Sequence, residues 1–153
     1  MQGVDELDAV LLNYLQKDNQ MTAQQLGALV NLSTSAVQRR LQRLRRDKVI
    51  VADVSVVSPS AVGLGMSCVV EVSLHLGNSA MVDRFKHLIL ACPQVMQCYY
   101  VAGIYDFVII VNARSMKDYE EFSKKYFMDN PDVKQFYTHV VIDNVKVGYG
   151  VEL

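Results

Sequence analysis

The sequence predicts an α+β chain in two parts, three N-terminal helices followed by a βαββαβ sheet domain. Three patterns in its 153 residues carry that prediction. Apolar residues recur at helical spacing as far as Leu44, a β-branched run covers 49–57, and from Met66 onward the apolar period alternates between two, for strands, and about 3.6, for helices.

Each helix of the first part has its own signals. Leu7, Val10, Leu11, Tyr14 and Leu15 stand at i, i+3, i+4, i+7 and i+8, the stripe of a helix expected to end near Asp18-Asn19, where asparagine tolerates the left-handed conformation. Thr22 with Gln25 is a capping box, so a second helix starts there and is expected to bury Leu26, Leu29 and Val30. Asn31 makes the turn, and Ser33 or Thr34 caps the third helix. At about 100° per residue, Val37, Leu41 and Leu44 stack within roughly 60° of one another, whereas Ser35, Gln38, Arg39, Gln42, Arg43 and Arg46 spread over the opposite side. The extended run Val49 to Val57 is expected to form a small β-wing beside these helices.

That third helix carries the functional signal. Arg39, Arg40, Arg43, Arg45, Arg46 and Lys48 crowd onto it and its end. A free face of guanidiniums, amides and a hydroxyl, without a carboxylate, supplies donors for phosphate oxygens and for the acceptor edges of guanine in the major groove. This is the layout of a helix-turn-helix that reads DNA. The candidate DNA-binding residues are Ser33, Thr34, Ser35, Gln38, Arg39, Arg40, Gln42, Arg43 and Arg46. Arg40, at the flank of the apolar stripe, is assigned a backbone-phosphate contact or an internal ion pair. A charge run is otherwise an ordinary solvated helix face, but such faces mix signs to gain i,i+4 pairs of about 0.2–0.5 kcal/mol. Here only Asp47 interrupts the cations, and like-charge crowding destabilises a helix unless a polyanion relieves it.

Composition narrows the class. A chain that is 51% hydrophobic is not a disordered regulator and has apolar side chains for two cores. A formal charge of -1 argues against a generally basic protein that coats nucleic acid. Positive charge is instead local to residues 1–60, where Lys17 and the helix-three cations face Asp5, Glu6, Asp8, Asp18, Asp47 and Asp53; the remainder is net acidic. No stretch approaches the roughly 20 apolar residues of a membrane span, and no basic region leads into an apolar one at the N-terminus, so a cytoplasmic, nucleoid-associated location is expected. Cys68, Cys92 and Cys98 are odd in number and lack Cys-x-x-Cys spacing, and His75, His87 and His139 are isolated. No disulfide framework, metal or cofactor is expected.

Ser58 to Gly65, punctuated by proline and glycine, reads as the connection between domains 1–57 and 66–153. Beyond it Met66, Cys68, Val70, Val72 and Leu74 alternate with more polar residues as a half-buried strand. A helix over 79–91 is expected to bury Val82, Phe85, Leu88, Ile89 and Cys92, with Pro93 stopping it. Val95–Val101 and Phe107–Asn112 read as a hairpin with Gly103 at its turn. Ser115 and Asp118 cap a helix with Met116, Tyr119, Phe122, Tyr126 and Phe127 facing inward, Asp129-Asn130-Pro131-Asp132 ends it, and Val133–Lys146 makes a long last strand. The order is the ferredoxin-like split motif, an antiparallel sheet with both helices on one face. The other face carries Val69, Tyr99 or Tyr100, Val108, Ile110 and Val141, and a second copy of the chain is its simplest cover.

A helix-turn-helix ending in LSTSAVQRRLQRL, a β-rich linker, the pattern Val95-x-x-Cys98-x-x-Val101-x-Gly103-x-x-Asp106 and the closing Thr138-x-Val140-Val141-Ile142-x-x-Val145-Lys146 together resemble the Lrp/AsnC family of transcription regulators, over essentially the whole chain. The resemblance implies an N-terminal winged helix-turn-helix and a C-terminal regulator-of-amino-acid-metabolism (RAM) domain. It also implies homodimers assembling to octamers, and a small effector, usually an amino acid, bound between dimers. Carried onto this chain, the effector contacts fall on Tyr100, Val101, Ala102, Gly103, Ile104, Tyr105 and Asp106, with Thr138 at the matching position on the last strand. Asp106 offers an acceptor for an ammonium, and Gly103 allows close approach of backbone amides to a carboxylate. The structural alternative is that Gly103 serves a turn with positive φ and Asp106 caps it.

Three positions depart from the family pattern. Ala102 replaces the usual threonine and removes a hydroxyl, Lys48 takes a glycine position, and Asn19-Gln20 replace Gly-Arg. The two-part architecture also resembles the siroheme decarboxylases, an enzyme alternative. Such an enzyme has no use for the arginine face and needs basic or histidine groups converging on a cavity, so a non-enzymatic regulator is the expectation.

Overall fold

The computed structural model describes residues 3–75, 77 and 79–153. The chain divides into two compact units, Met1–Val56 with Lys146–Leu153, and Val57–Val145.

In the first unit helices α1 (Glu6–Leu15), α2 (Ala23–Val30) and α3 (Thr34–Arg46) enclose a core of Leu11, Leu12, Leu26, Val37, Leu41 and Leu44. Reciprocal bonds open α1: the Asp8 N–H donates to Asp5 Oδ1 at 2.8 Å and the Asp5 N–H donates to Asp8 Oδ2 at 3.2 Å. The helix departs from expectation in two ways. It ends at Leu15, and Asn19 is not left-handed, since among described non-glycine residues only Asn31 and Lys48 have positive φ. Its inward stripe runs through Asp8, Leu11 and Leu12, leaving Leu7 and Val10 exposed. An acidic residue replaces an apolar one on that stripe because arginines of α3 meet it there.

The expected Thr22–Gln25 box opens α2, with bonds of 2.8 and 3.2 Å. Leu26 is buried, but Leu29 is exposed. At Gly27 a Cβ would lie 2.5 Å from the Leu32 carbonyl oxygen, so the turn closes only over a residue without a side chain. Asn31, at φ 55° and ψ 45°, turns the chain in the left-handed conformation. Ser33 then caps α3 by accepting from the Ala36 N–H at 3.2 Å.

After α3 Lys48 keeps the glycine-type corner, at φ 60°. The expected β-wing does not form: residues 51–58 belong to no ladder, and Val51, Val54, Val56 and Val57 are exposed. β-branched residues favour extended backbone, but a strand needs a paired neighbour.

The second unit has β1 (Met66–Leu74), α4 (Ser79–Leu90), β2 (Val95–Tyr100), β3 (Phe107–Ala113), α5 (Met116–Ser123) and β4 (Val133–Val140). All pairings are antiparallel in the order β2-β3-β1-β4, the split motif. One face of the sheet, Cys68, Val70, Val72 and Leu74 with Phe107, Ile109 and Val111, packs with Phe85 and Ile89 of α4 and Tyr119 and Phe122 of α5. A π-helical turn, Lys124–Met128, continues α5 and adds Tyr126 and Phe127 to this core. Met116 is exposed instead of inward, and β4 ends at Val140 rather than Lys146, with one more bond from the Val141 N–H to the Ser67 carbonyl at 2.9 Å.

Candidate functional site

On α3 the side opposite Val37, Leu41 and Leu44 is open. Thr34, Ser35, Gln38, Arg39 and Gln42 are exposed, and among the described residues Arg39 makes no hydrogen bond or ion pair. Ser33 is committed to its cap and lies 3.2 Å, hydroxyl to hydroxyl, from Ser35.

The other arginines are paired. Arg40 Nη1 donates to Asp5 Oδ2 at 2.6 Å and to Asp8 Oδ1 at 2.9 Å, the internal ion pair left open by its flank position. Arg43 donates through Nη2 to Asp8 Oδ2. Arg45 forks onto Asp53 at 2.8 and 3.1 Å, and Arg46 onto the adjacent Asp47 at 2.8 and 3.3 Å. The crowded charge of α3 is therefore relieved within the chain, not left for a polyanion alone. This corrects the reading of α3 in isolation: its partners come from α1 and from the segment after α3, which a projection of α3 does not contain. Asp8 is wholly inaccessible, while Arg40 and Arg43 keep about a quarter of their side-chain surface. One signal for Asp8 was present: it stands three and four residues before the buried Leu11 and Leu12, on their face.

These pairings set the local titration. The Arg40 guanidinium, then the Asp8 N–H, hold the Asp5 carboxyl below the usual carboxylate range. Arg45 does the same for Asp53, and is itself raised by it.

In the sheet unit the loop after β2 is pinned by Asp106. Its Oδ2 accepts from the Leu74 N–H at 2.7 Å, its N–H donates to the Val72 carbonyl at 3.0 Å, and its carbonyl accepts from Val101 at 2.9 Å. The Asp106 carboxylate therefore ties the loop to β1 rather than capping the Gly103 turn, as the structural alternative had it. Nor does Gly103 serve a turn with positive φ: its φ lies outside the left-handed region, and a Cβ built on it meets nothing within 4 Å. Neither turn geometry nor packing within this chain demands glycine there. Ala102, Gly103 and Ile104 are exposed, and Val101 and Tyr105 half-buried.

The remaining candidates spread over both faces of the sheet. Tyr105 meets the Tyr137 ring edge-on at 5.8 Å; burial and the nearby Glu71 charge hold its phenol above the usual range. Glu71 also meets His139 Nε2 at 3.2 Å. Tyr100 turns to the helix side, 5.0 Å from Phe107, with the Lys86 ammonium 4.7 Å over its ring. A cavity of about 360 Å³ opens there between α4 and β2. Tyr99 is accordingly the tyrosine on the open face, beside Val108. Thr138 pairs with Val70 on β4, and its hydroxyl bonds that of Tyr119 on the helix side. The 101–106 loop meets β4 through Tyr105 and Tyr137, whereas the Thr138 hydroxyl is engaged with Tyr119 on the opposite, helix side of the sheet.

Among the described residues no three His, Cys, Asp or Glu side chains are placed to hold a metal ion, and no helix is long and apolar enough to cross a membrane.

Comparison with known proteins adds the following. Residues 4–45 match the AsnC-type helix-turn-helix domain, and residues 67–151 match the Lrp/AsnC ligand binding domain. The chain is 47% identical over 150 residues to an uncharacterized HTH-type transcriptional regulator, y4tD, of Sinorhizobium fredii, covering 98% of this chain and 89% of that protein. It is 29% identical to the DNA-binding transcriptional activator DecR of Escherichia coli, covering 94% of each. The solved structure of Bacillus subtilis LrpC superposes with a TM-score of 0.84 at 28% identity, covering 95% of this chain and 99% of that one. A transcriptional regulator of Neisseria meningitidis, solved in complex with L-methionine, shares the fold with a TM-score of 0.92 at 22% identity, covering 97% and 96%.

Proposed function

The chain belongs to the Lrp/AsnC family and is a helix-turn-helix transcriptional regulator; from that premise we propose how its own residues read DNA and sense a ligand. Residues 1–57 are the DNA-reading domain, 58–65 the connection, and 66–145 the domain for effector binding and assembly, with 146–153 returning to the helical unit. Double-stranded DNA lies against Ser33, Thr34, Ser35, Gln38, Arg39 and Gln42, with Arg46 at the helix end placed for phosphate. The single observation that carries this is Arg39, exposed and without a partner among the described residues, between two exposed glutamines, Gln38 and Gln42. Guanidinium and amide side chains in that arrangement match guanine and adenine edges and phosphate oxygens. The regulator works in the cytoplasm, on the nucleoid.

The effector is an amino acid or a related small metabolite, held at the loop Tyr100 to Asp106. Support comes from the L-methionine complex of the Neisseria regulator and from the open space over Gly103. The exposed sheet face with Val69, Tyr99 and Val108 is covered by a second copy, and dimers join into octamers whose many reading helices act on one DNA segment. Multivalency raises affinity without any one head binding tightly. A ligand between dimers shifts DNA affinity only by its differential affinity for the assembly states.

The test is binding to duplex DNA across a salt series. The expected result is log K falling linearly with log salt, with Arg39→Ala lowering the magnitude of the slope by about one. Salt-indifferent binding, or an Arg39→Ala variant identical to the parent, would refute the reading. For the ligand, thermal-shift screening of the twenty amino acids should yield a stabilising compound.

A further inference from the structure

We propose that Asp8 is a positioning residue for DNA reading: it withholds Arg40 and Arg43 from DNA and so confines the reading surface to the exposed side chains between Thr34 and Gln42. The inference rests on the reading of α3 as the DNA-contacting helix.

Arg39 and Arg43 stand four residues apart on one face of α3, so helical geometry alone makes them equivalent. Their environments are not. Arg39 is exposed without a partner among the described residues, whereas Arg43 is turned onto a carboxylate with no accessible surface. Arg40, on the flank, reaches the same carboxylate from the side and adds Asp5. A buried carboxylate stripped of its guanidinium loses far more than an exposed phosphate contact returns, because the charge left behind cannot reach water. Exchange of Asp8 for a phosphate is therefore unfavourable. The carboxylate is fixed within α1 by the Asp5 N–H and held to α3 by Arg40 and Arg43, so α1 and α3 are clamped in one geometry. What stays exposed is Thr34, Ser35, Gln38, Arg39 and Gln42, over somewhat more than two turns from the start of the helix. The N-terminal residues of a recognition helix are those that approach base edges. Asp8 thus sets where recognition stops, without touching DNA.

The experiment compares salt slopes of full-length protein on two duplexes: one selected by the unmodified protein from a random-sequence pool, and an unselected duplex of equal length. Arg39→Ala is the reference and lowers the slope by about one. The double variant Asp8→Asn with Arg43→Gln removes both charges and leaves Arg40 on Asp5; its slope should equal that of the unmodified protein. Asp8→Asn alone frees Arg43, so its slope should rise by about one, and its preference for the selected duplex should fall several-fold. A double variant that loses as much slope as Arg39→Ala would overturn the proposal, since Arg43 would then be a phosphate contact. In the unmodified protein, the guanidinium NMR signals of Arg43 should not move when DNA is added, a readout that holds even if Asp8→Asn fails to fold; movement of those signals to a phosphate-bound position would also overturn it. Loss of the Arg39 effect would instead overturn the DNA-face reading itself, a distinguishable outcome.

Discussion

Gln16 holds Val151 by both of its backbone groups: the Gln16 Nε2 donates to the Val151 carbonyl at 3.0 Å, and the Val151 N–H donates to Gln16 Oε1 at 2.6 Å. Asn13 adds a bond from Nδ2 to the Leu153 carbonyl at 3.1 Å. Residues 146–153 are thereby part of the helical unit, strapped along α1. Gln16→Ala should release the strap, with loss of hydrogen-exchange protection at the Val151 amide. Both bonds are exposed, so stability should fall by only about 1 kcal/mol. Retained protection at Val151 would mean that another contact holds the tail.

Two glycines should respond oppositely to alanine. At Gly27 the new methyl meets the Leu32 carbonyl at 2.5 Å, and both are backbone-fixed, so Gly27→Ala should destabilise the helical unit by about 1–3 kcal/mol. At Gly103 nothing lies within 4 Å, so Gly103→Ala should leave the melting temperature of the ligand-free protein unchanged. If the loop binds effector by close backbone approach, the same variant should abolish the ligand-induced thermal shift. A full shift in Gly103→Ala would place the effector elsewhere.

Lys48 sits at φ 60°, a conformation that costs a side chain roughly 1–2 kcal/mol and glycine almost nothing. Part of that gain is offset by the greater freedom of glycine in the unfolded chain. Lys48→Gly should therefore stabilise by up to about 1 kcal/mol, seen as a higher urea midpoint at unchanged m.

The Arg45–Asp53 fork predicts a pH signature. Arg45 holds the Asp53 carboxyl below its ordinary value of 3.8, so the pair stabilises the fold above that pH; the contribution disappears as pH falls through the lower folded value. Both side chains are more than 40% exposed and screened by solvent, so Asp53→Asn should cost only about 0.5 kcal/mol at pH 7. Denaturation curves of variant and parent should converge in strong acid. A difference that persisted there would mean that Asp53 acts through packing.

How much the sequence disclosed is clearest on α3. Spacing alone placed Val37, Leu41 and Leu44 inward, Ser33 among the candidate caps, and Arg39, Gln38 and Gln42 outward, because these follow from a fixed angle per residue. It could not separate Arg39 from Arg43, because the carboxylate that distinguishes them is 35 residues from Arg43 in the chain and comes from another helix. The same division holds in the sheet unit. Alternation gave β1, and the order of elements gave the split motif. Yet β4 fell short and the β-wing was missing, since a strand's length depends on how far its neighbour accompanies it.

By itself the sequence determined periodicity, capping and turn chemistry, all local properties written within a few residues of one another. Only the tertiary structure decided which charges are free and where Thr138 lies relative to Asp106. It also decided that Asp8 is buried. Ion pairs and strand neighbours are chosen in space, among residues that the chain order keeps apart.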